Sequence, residues 1–203
     1  MWLESGVEVP GRLIVVSGPS GCGKSTVIRS LLDLLDRRDP RLKWPEMKLK
    51  LSVSATTRQP RPSEREGVDY FYMSQEEFGG TVGRGEFLEW AEYNGRRYGT
   101  PRQPVIDALA AGWNVMLEIE VQGARQVQQI LPSALFVFVK APSFAVMERR
   151  LVGRGTEPPA EVFKRLTRAR EELAQAHRYD VQIINERVEQ AAIDLGNLIG
   201  DYG

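Results

Sequence analysis

The stretch Leu13-Ile14-Val15-Val16-Ser17-Gly18-Pro19-Ser20-Gly21-Cys22-Gly23-Lys24-Ser25-Thr26 decides the architecture. An apolar run long enough for one buried strand ends at Ser17. A glycine-rich turn follows, and the helical spacing of Val27, Ile28, Leu31, Leu32, Leu34 and Leu35 then takes over. Gly18 to Ser25 is thus a complete phosphate-binding P-loop in its required setting between strand and helix. Its glycines let the backbone turn N–H groups around a polyphosphate, which then lies at the positive end of the helix dipole. Lys24 reaches the β- and γ-phosphates and Ser25 offers its hydroxyl to Mg²⁺, so Gly18 to Thr26 predicts a site for a metal-bound nucleoside triphosphate.

Working outward, strands are expected at Leu13–Ser17, Leu49–Ser54, Trp113–Ile119, Leu135–Val139 and Val181–Ile184. Helical patterns separate them at Val27–Asp36, Val105–Ala111, Arg125–Leu131 and Phe144–Leu151. Short continuous apolar runs alternating with helices describe an α/β fold with a parallel sheet buried on both faces. Between Ser54 and Gly112 the texture changes to aromatic, alternating segments broken by Gly79-Gly80, Gly83, Gly85 and Gly95, which reads as an inserted, mostly β subdomain. A second break, Gly153-Arg154-Gly155-Thr156-Glu157-Pro158-Pro159, reads as a lid whose prolines open the next helix. The expected organisation is an extension over 1–10, a core over 11–53, 104–152 and 171–203, an insertion over 54–103 and a helical lid over 153–170.

The 203 residues are 42% apolar, enough for one sizeable core. Twenty-seven lysines and arginines balance 27 acidic residues, so overall charge points to neither nucleic acid nor an anionic membrane. Basic residues must act locally. The only cysteine, Cys22, cannot form an internal disulfide. The longest apolar stretch, Ala134–Val139, is too short to span a bilayer, and a cytoplasmic protein is expected. His177 has no second histidine or nearby cysteine with which to build a metal site. Trp90 and Trp113 read as core, and Arg165 to Glu172 as a solvated helix face beyond Arg165 itself.

A P-loop fixes the phosphoryl donor and leaves the acceptor open. Arg58 and Arg61, followed by Tyr70 and Tyr98, offer two guanidinium forks and two phenols for a second phosphate. The segments Ser52-Val53-Ser54-Ala55-Thr56-Thr57-Arg58-Gln59-Pro60-Arg61, Gly67-Val68-Asp69-Tyr70-Phe71, Glu86-Phe87-Leu88-Glu89-Trp90-Ala91, Tyr98-Gly99-Thr100 and Arg150-Leu151-Val152-Gly153-Arg154 resemble the guanylate kinase family, from Gly11 to about Leu198. The resemblance implies ATP and GMP as substrates, Mg²⁺ as cofactor, and a monomer or homodimer. It implies that Arg58, Arg61, Tyr70 and Tyr98 bind the GMP phosphate, that Ser54, Glu89 and Thr100 read guanine, and that Asn185 lies on the adenine side of the ATP pocket.

Guanine presents N1–H and an exocyclic NH₂ beside the O6 acceptor. A carboxylate at Glu89 accepts both donors, a hydroxyl at Thr100 or Ser54 serves O6, and AMP leaves the same groups partly unpaired at about 1–3 kcal/mol each. The attacking GMP phosphate is already anionic, so no general base is needed. Lys24, Arg150, Arg154 and Arg165 are the candidate charge-neutralising cations. Glu118 and Glu120 are assigned to the neighbourhood of Mg²⁺ and guanine, because Glu120 stands where the family usually has aspartate. Two other readings stay open. One is a family domain turned protein-binding module, which would lose the P-loop lysine or lid arginines; the other is a kinase for a different phosphorylated acceptor, which would not need Glu89 with Thr100.

Overall fold

The computed structural model describes residues 10–93, 95–152 and 159–202. Most of the expected extension and the lid segment 153–158, with Arg154, lie outside the described residues. In chain order the elements are β1 (Leu13–Ser17), α1 (Lys24–Asp36), β2 (Leu49–Leu51), β3 (Ala55–Thr56), β4 (Phe71–Tyr72), α2 (Gln75–Gly83), β5 (Phe87–Tyr93), β6 (Arg96–Pro101), α3 (Arg102–Ala110), β7 (Asn114–Glu118), α4 (Val121–Ile130), β8 (Leu135–Lys140), α5 (Phe144–Val152), α6 (Pro159–Leu173), β9 (Val181–Ile184) and α7 (Val188–Asp201). Two compact units result. One comprises residues 10–13, Lys48–Leu117 and Gln122–Ala134; the other comprises Ile14–Met47, Glu118–Val121 and the residues after Ala134. The parallel strands lie in the order β2-β7 in the first unit and β1-β8-β9 in the second.

In the second unit β1 and β8 pair in parallel, Ile14 opposite Leu135 through Ser17 opposite Phe138. Every residue of β1 and all but the last of β8 are buried, as continuous apolar strands covered on both faces must be. β9 closes the edge in parallel with β8 and alternates instead, Ile183 buried between exposed Gln182 and Ile184. α1 buries Val27, Ile28, Leu31 and Leu34 on one face and packs against α7. The two helices approach at Gly196, where a Cβ would lie 2.7 Å from Leu31 Cδ1. α5 and α6 share a small core of Ala141, Met147, Leu151 and Ala169. The stretch Arg165 to Glu172 is therefore not a uniformly solvated face: Ala169 and Glu172 turn inward and are buried.

The first unit pairs β2 with β7 in parallel and carries a second, mixed sheet in the order β4-β3-β6-β5. There β3 and β4 are parallel, while β3·β6 and β5·β6 are antiparallel. The glycine pair expected to break this region lies inside α2. That helix is started by a capping box, the Glu77 N–H donating to Ser74 Oγ and the Ser74 N–H to Glu77 Oε2. Its Phe78 is fully buried against Ala55 and Phe87, with ring centroids of Phe78 and Phe87 4.6 Å apart. Trp90 departs from its expected core position. It meets Phe78 edge-on at 6.4 Å but remains 37% exposed. Trp113 is half-buried under the Lys50 ammonium, 4.2 Å above its ring. No described helix is long and apolar enough to cross a membrane.

Because Phe78 anchors α2 to its sheet, Phe78→Ala is expected to cost about 3–5 kcal/mol. Urea unfolding followed by circular dichroism measures this as a lowered midpoint.

Candidate active site

The loop after β1 needs backbone that only glycine supplies cheaply: Gly18, Gly21 and Gly23 have φ of 152°, 85° and 84°. Gly23 is the N-cap of α1. No side chain caps the helix there and no acidic residue occupies its first turn, so its N-terminal donors keep their attraction for an anion. Lys24 is buried and donates to the Gly18 carbonyl at 3.2 Å. Burial alone would lower its pKa. The carboxylate of Glu120, 3.9 Å away, outweighs this with Glu118 and Glu172 behind it and holds the ammonium above the ordinary lysine value. Ser25 donates its hydroxyl proton to Glu118 at the end of β7. Both acidic residues assigned by sequence to the site's neighbourhood thus lie beside the P-loop. Cys22 is buried, and burial pushes its thiol pKa up, so it packs as an un-ionised thiol.

Three side chains from later elements hold the loop. Arg165 of α6 donates to Ser20 Oγ at 2.6 Å, Arg150 of α5 donates to the Cys22 carbonyl at 3.3 Å, and Asn185, just after β9, donates to the same carbonyl at 2.8 Å. Glu172, read from sequence as solvated, is 7% exposed and paired with Arg168 at 3.0 Å. Desolvation, with Glu120 adding to it, raises its pKa.

The first unit assembles the other candidates. In β5 and β6 Glu89 stands opposite Thr100, whose hydroxyl donates to Glu89 Oε1 at 2.7 Å, and both are buried. The antiparallel register of β3 with β6, Ala55 opposite Gly99, places Ser54 in the row of Thr100. Arg58 lies over the Tyr70 ring at 5.3 Å, and Tyr70 meets Tyr98 edge-on with centroids 6.0 Å apart. Arg61 is largely exposed.

Sequence reasoning missed two residues here. Glu64 collects the phosphate candidates: it accepts from Arg58 Nη2 at 2.8 and 2.9 Å, from the Arg61 N–H at 2.8 Å and from the Tyr72 hydroxyl at 2.8 Å. The Arg58 guanidinium and then the Arg61 N–H hold its carboxyl down to about 2. Gly123, in the first turn of α4, is the other. A Cβ there would lie 2.2 Å from Glu89 Oε2, so a backbone without a side chain is what lets the buried carboxylate rest against the helix. Gln126, three residues on, fixes α4 to β5 by accepting from the Trp90 N–H at 3.2 Å and donating to the Trp90 carbonyl at 2.7 Å. Glu64 is recognisable only as an acid three residues after Arg61, and nothing local marks Gly123.

Glu64 is ionised in the folded chain at pH values where it protonates in the unfolded one. Its contribution to stability is full above the ordinary glutamate value of 4.5 and is lost as pH falls toward about 2. Glu64→Gln is expected to flatten the decline of the unfolding midpoint over that window, as a pH series of thermal melts measures.

The chain can be set beside known proteins. The guanylate kinase family model matches residues 10–202. The guanylate kinase of Thermosynechococcus vestitus is 47% identical over 197 residues, covering 97% of each chain, and that of Thermobifida fusca is 48% identical over 201 residues, covering 98% of this chain and 97% of the other. A crystal structure of guanylate kinase from Anaplasma phagocytophilum superposes with a TM-score of 0.74 at 30% identity, over 96% of this chain and 87% of that one. With a complete P-loop in one unit and the Glu89–Thr100 row in the other, the chain belongs to the guanylate kinase family.

Proposed function

We propose the following division of labour for the reaction that family membership establishes, transfer of the γ-phosphoryl group of ATP to GMP to give ADP and GDP. The P-loop and Lys24 hold the β- and γ-phosphates of ATP, and a GMP phosphate oxygen attacks in line without a general base. Lys24, Arg165 and Arg150, the last also donating to the Cys22 and Asn185 carbonyls, neutralise charge on the transferring group, joined by Arg154, which lies outside the described residues. Closure of the lid segment with α6 excludes water and so suppresses ATP hydrolysis. The setting for this chemistry is the cytoplasm.

Ser25 and Glu118 suit Mg²⁺. Their oxygens already lie within hydrogen-bond reach, and Mg²⁺ prefers one or two protein oxygens with phosphates and waters for the rest. When bound, the ion offsets negative charge on the β- and γ-phosphates.

On the acceptor side Arg58, Arg61, Tyr70 and Tyr98 bind the phosphate of GMP, with Glu64 orienting Arg58. Glu89 accepts from guanine N1–H and NH₂. The Thr100 hydroxyl has one proton and gives it to Glu89, so the donor for guanine O6 falls to Ser54. The buried Glu89–Thr100 pair is the observation that carries this reading.

A coupled ADP-release assay with Mg-ATP and, in turn, GMP, AMP, CMP or UMP tests it. Turnover is expected with GMP, and full activity with AMP would overturn the roles of Glu89 and Thr100. Gly123→Ala is expected to raise the KM for GMP about tenfold or more by displacing Glu89, through loss of about 1–3 kcal/mol. Alanine being the better helix former by about 1 kcal/mol, the melting temperature should not fall through loss of helix propensity. Glu89→Asp on that background, one methylene shorter, is expected to recover part of the GMP affinity.

A further inference from the structure

Asn185 resembles the family's adenine-side contact, but its surroundings carry a different role. The side chain is fully buried, with 0% of its surface exposed. Its Nδ2 donates to the Cys22 carbonyl at 2.8 Å. Its own main chain is fixed on both sides, the N–H donating to the Lys140 carbonyl at 2.8 Å and the carbonyl accepting from Arg150 Nη2 at 3.2 Å. The other terminal nitrogen of Arg150 donates to the same Cys22 carbonyl at 3.3 Å. Asn185 lies so close under the loop that a Cβ on Gly23 would come within 2.4 Å of Nδ2.

We infer that Asn185 is a positioning residue for the phosphate loop, which with Arg150 pins the Cys22 carbonyl and thereby aims the Gly23 N–H at the bound polyphosphate. The geometry follows from the peptide bond. The described chain has no cis peptide, so the Cys22 carbonyl and the Gly23 N–H belong to one planar trans unit and point in opposite directions. Two donors drawing the carbonyl toward α5 and the end of β9 turn the N–H the other way. Gly23 sits at the uncapped N-terminus of α1, where an anion is favoured, so that orientation decides whether the donor is presented or wasted. The Gly23 φ of 84° makes the unit dependent on the tether, because glycine has neighbouring conformations of similar energy in which the plane is flipped. Asn185 therefore acts on the triphosphate, whatever base it carries.

This inference rests on the P-loop as the ATP site, and its test separates the two. In the full chain, Asn185→Ala and the near-isosteric Asn185→Asp are compared with the wild type for affinity toward Mg-ATP, Mg-GTP and inorganic tripolyphosphate. GMP affinity serves as a check that the first unit is intact, and thermal melting as a check on the fold. Asn185→Asp keeps the shape of the site and replaces the donor with an acceptor facing the Cys22 carbonyl, so it remains informative should Asn185→Ala fold poorly. The expected result is a parallel loss of about tenfold for all three triphosphates, an unchanged ATP-to-GTP ratio and an unchanged GMP affinity. Loss confined to Mg-ATP would make Asn185 a reader of adenine and overturn the inference, as would full affinity for all three. Failure of the wild type to bind either nucleoside triphosphate would instead overturn the P-loop reading itself.

Discussion

A backbone that binds an anion through its N–H groups must hold those groups in place without pairing them. The P-loop meets this constraint by being tethered through its oxygens. Lys24 holds the Gly18 carbonyl, Arg165 holds Ser20 Oγ, and Asn185 with Arg150 holds the Cys22 carbonyl. Each tether fixes one oxygen of the loop. Glycine is required at the loop's positive-φ positions, and glycine alone would leave the loop with many conformations to choose among. Side chains from α5, α6 and the end of β9 remove that freedom before any nucleotide arrives. Preorganisation of this kind lets binding energy act on the transferring phosphoryl group rather than on ordering the loop.

Concentrated positive charge creates the second demand. A buried cation without a counter-charge costs several kcal/mol, and each unit supplies an acid next to the cation proposed to meet phosphate. Glu120 lies 3.9 Å from the Lys24 ammonium, and Glu64 holds Arg58 while accepting the Arg61 N–H. The two acids differ in how tightly they bind. Glu64 makes close bonds to Arg58, to the main chain and to Tyr72, which fixes the direction of the guanidinium. Glu120 stands farther from its lysine and keeps one buried oxygen without a partner among the described residues, leaving the ammonium directed mainly by the Gly18 carbonyl.

Much of this was legible in the sequence, and the failures have physical reasons. β1 matches its expected bounds and β8 runs one residue beyond them, because continuous apolar runs leave a buried parallel strand few alternatives. α1 begins three residues earlier than its apolar spacing suggested, since its first turn is polar loop sequence serving the site. α2 was hidden by Gly79 and Gly80, although Ser74 and Glu77 carried the capping signal; the burial of Phe78 outweighs the propensity cost of two glycines. Trp90 stays partly exposed because the tight packing opposite belongs to Phe78 and Phe87. The pairing of Glu89 with Thr100 could be anticipated from two strand segments, but the dependence of Glu89 on Gly123 could not. A close approach between residues 34 positions apart leaves no local pattern.

On the proposed assignment of Glu89 to guanine, base selectivity rests on what that close approach permits. A carboxylate only 5% exposed is tolerated on β5 because Thr100 satisfies one oxygen and the other rests against the side-chain-free first turn of α4, while Gln126 keeps that helix on the strand. Such a carboxylate cannot turn toward water when the wrong base arrives. A base offering two adjacent donors satisfies it, whereas one offering an acceptor at N1 faces it with repulsion and an unmet bond. In that role the rigidity that makes Glu89 costly to bury would also make it discriminating: a mobile glutamate on the same strand could escape a mismatch into solvent, and the penalty that separates guanine from adenine would shrink with its freedom.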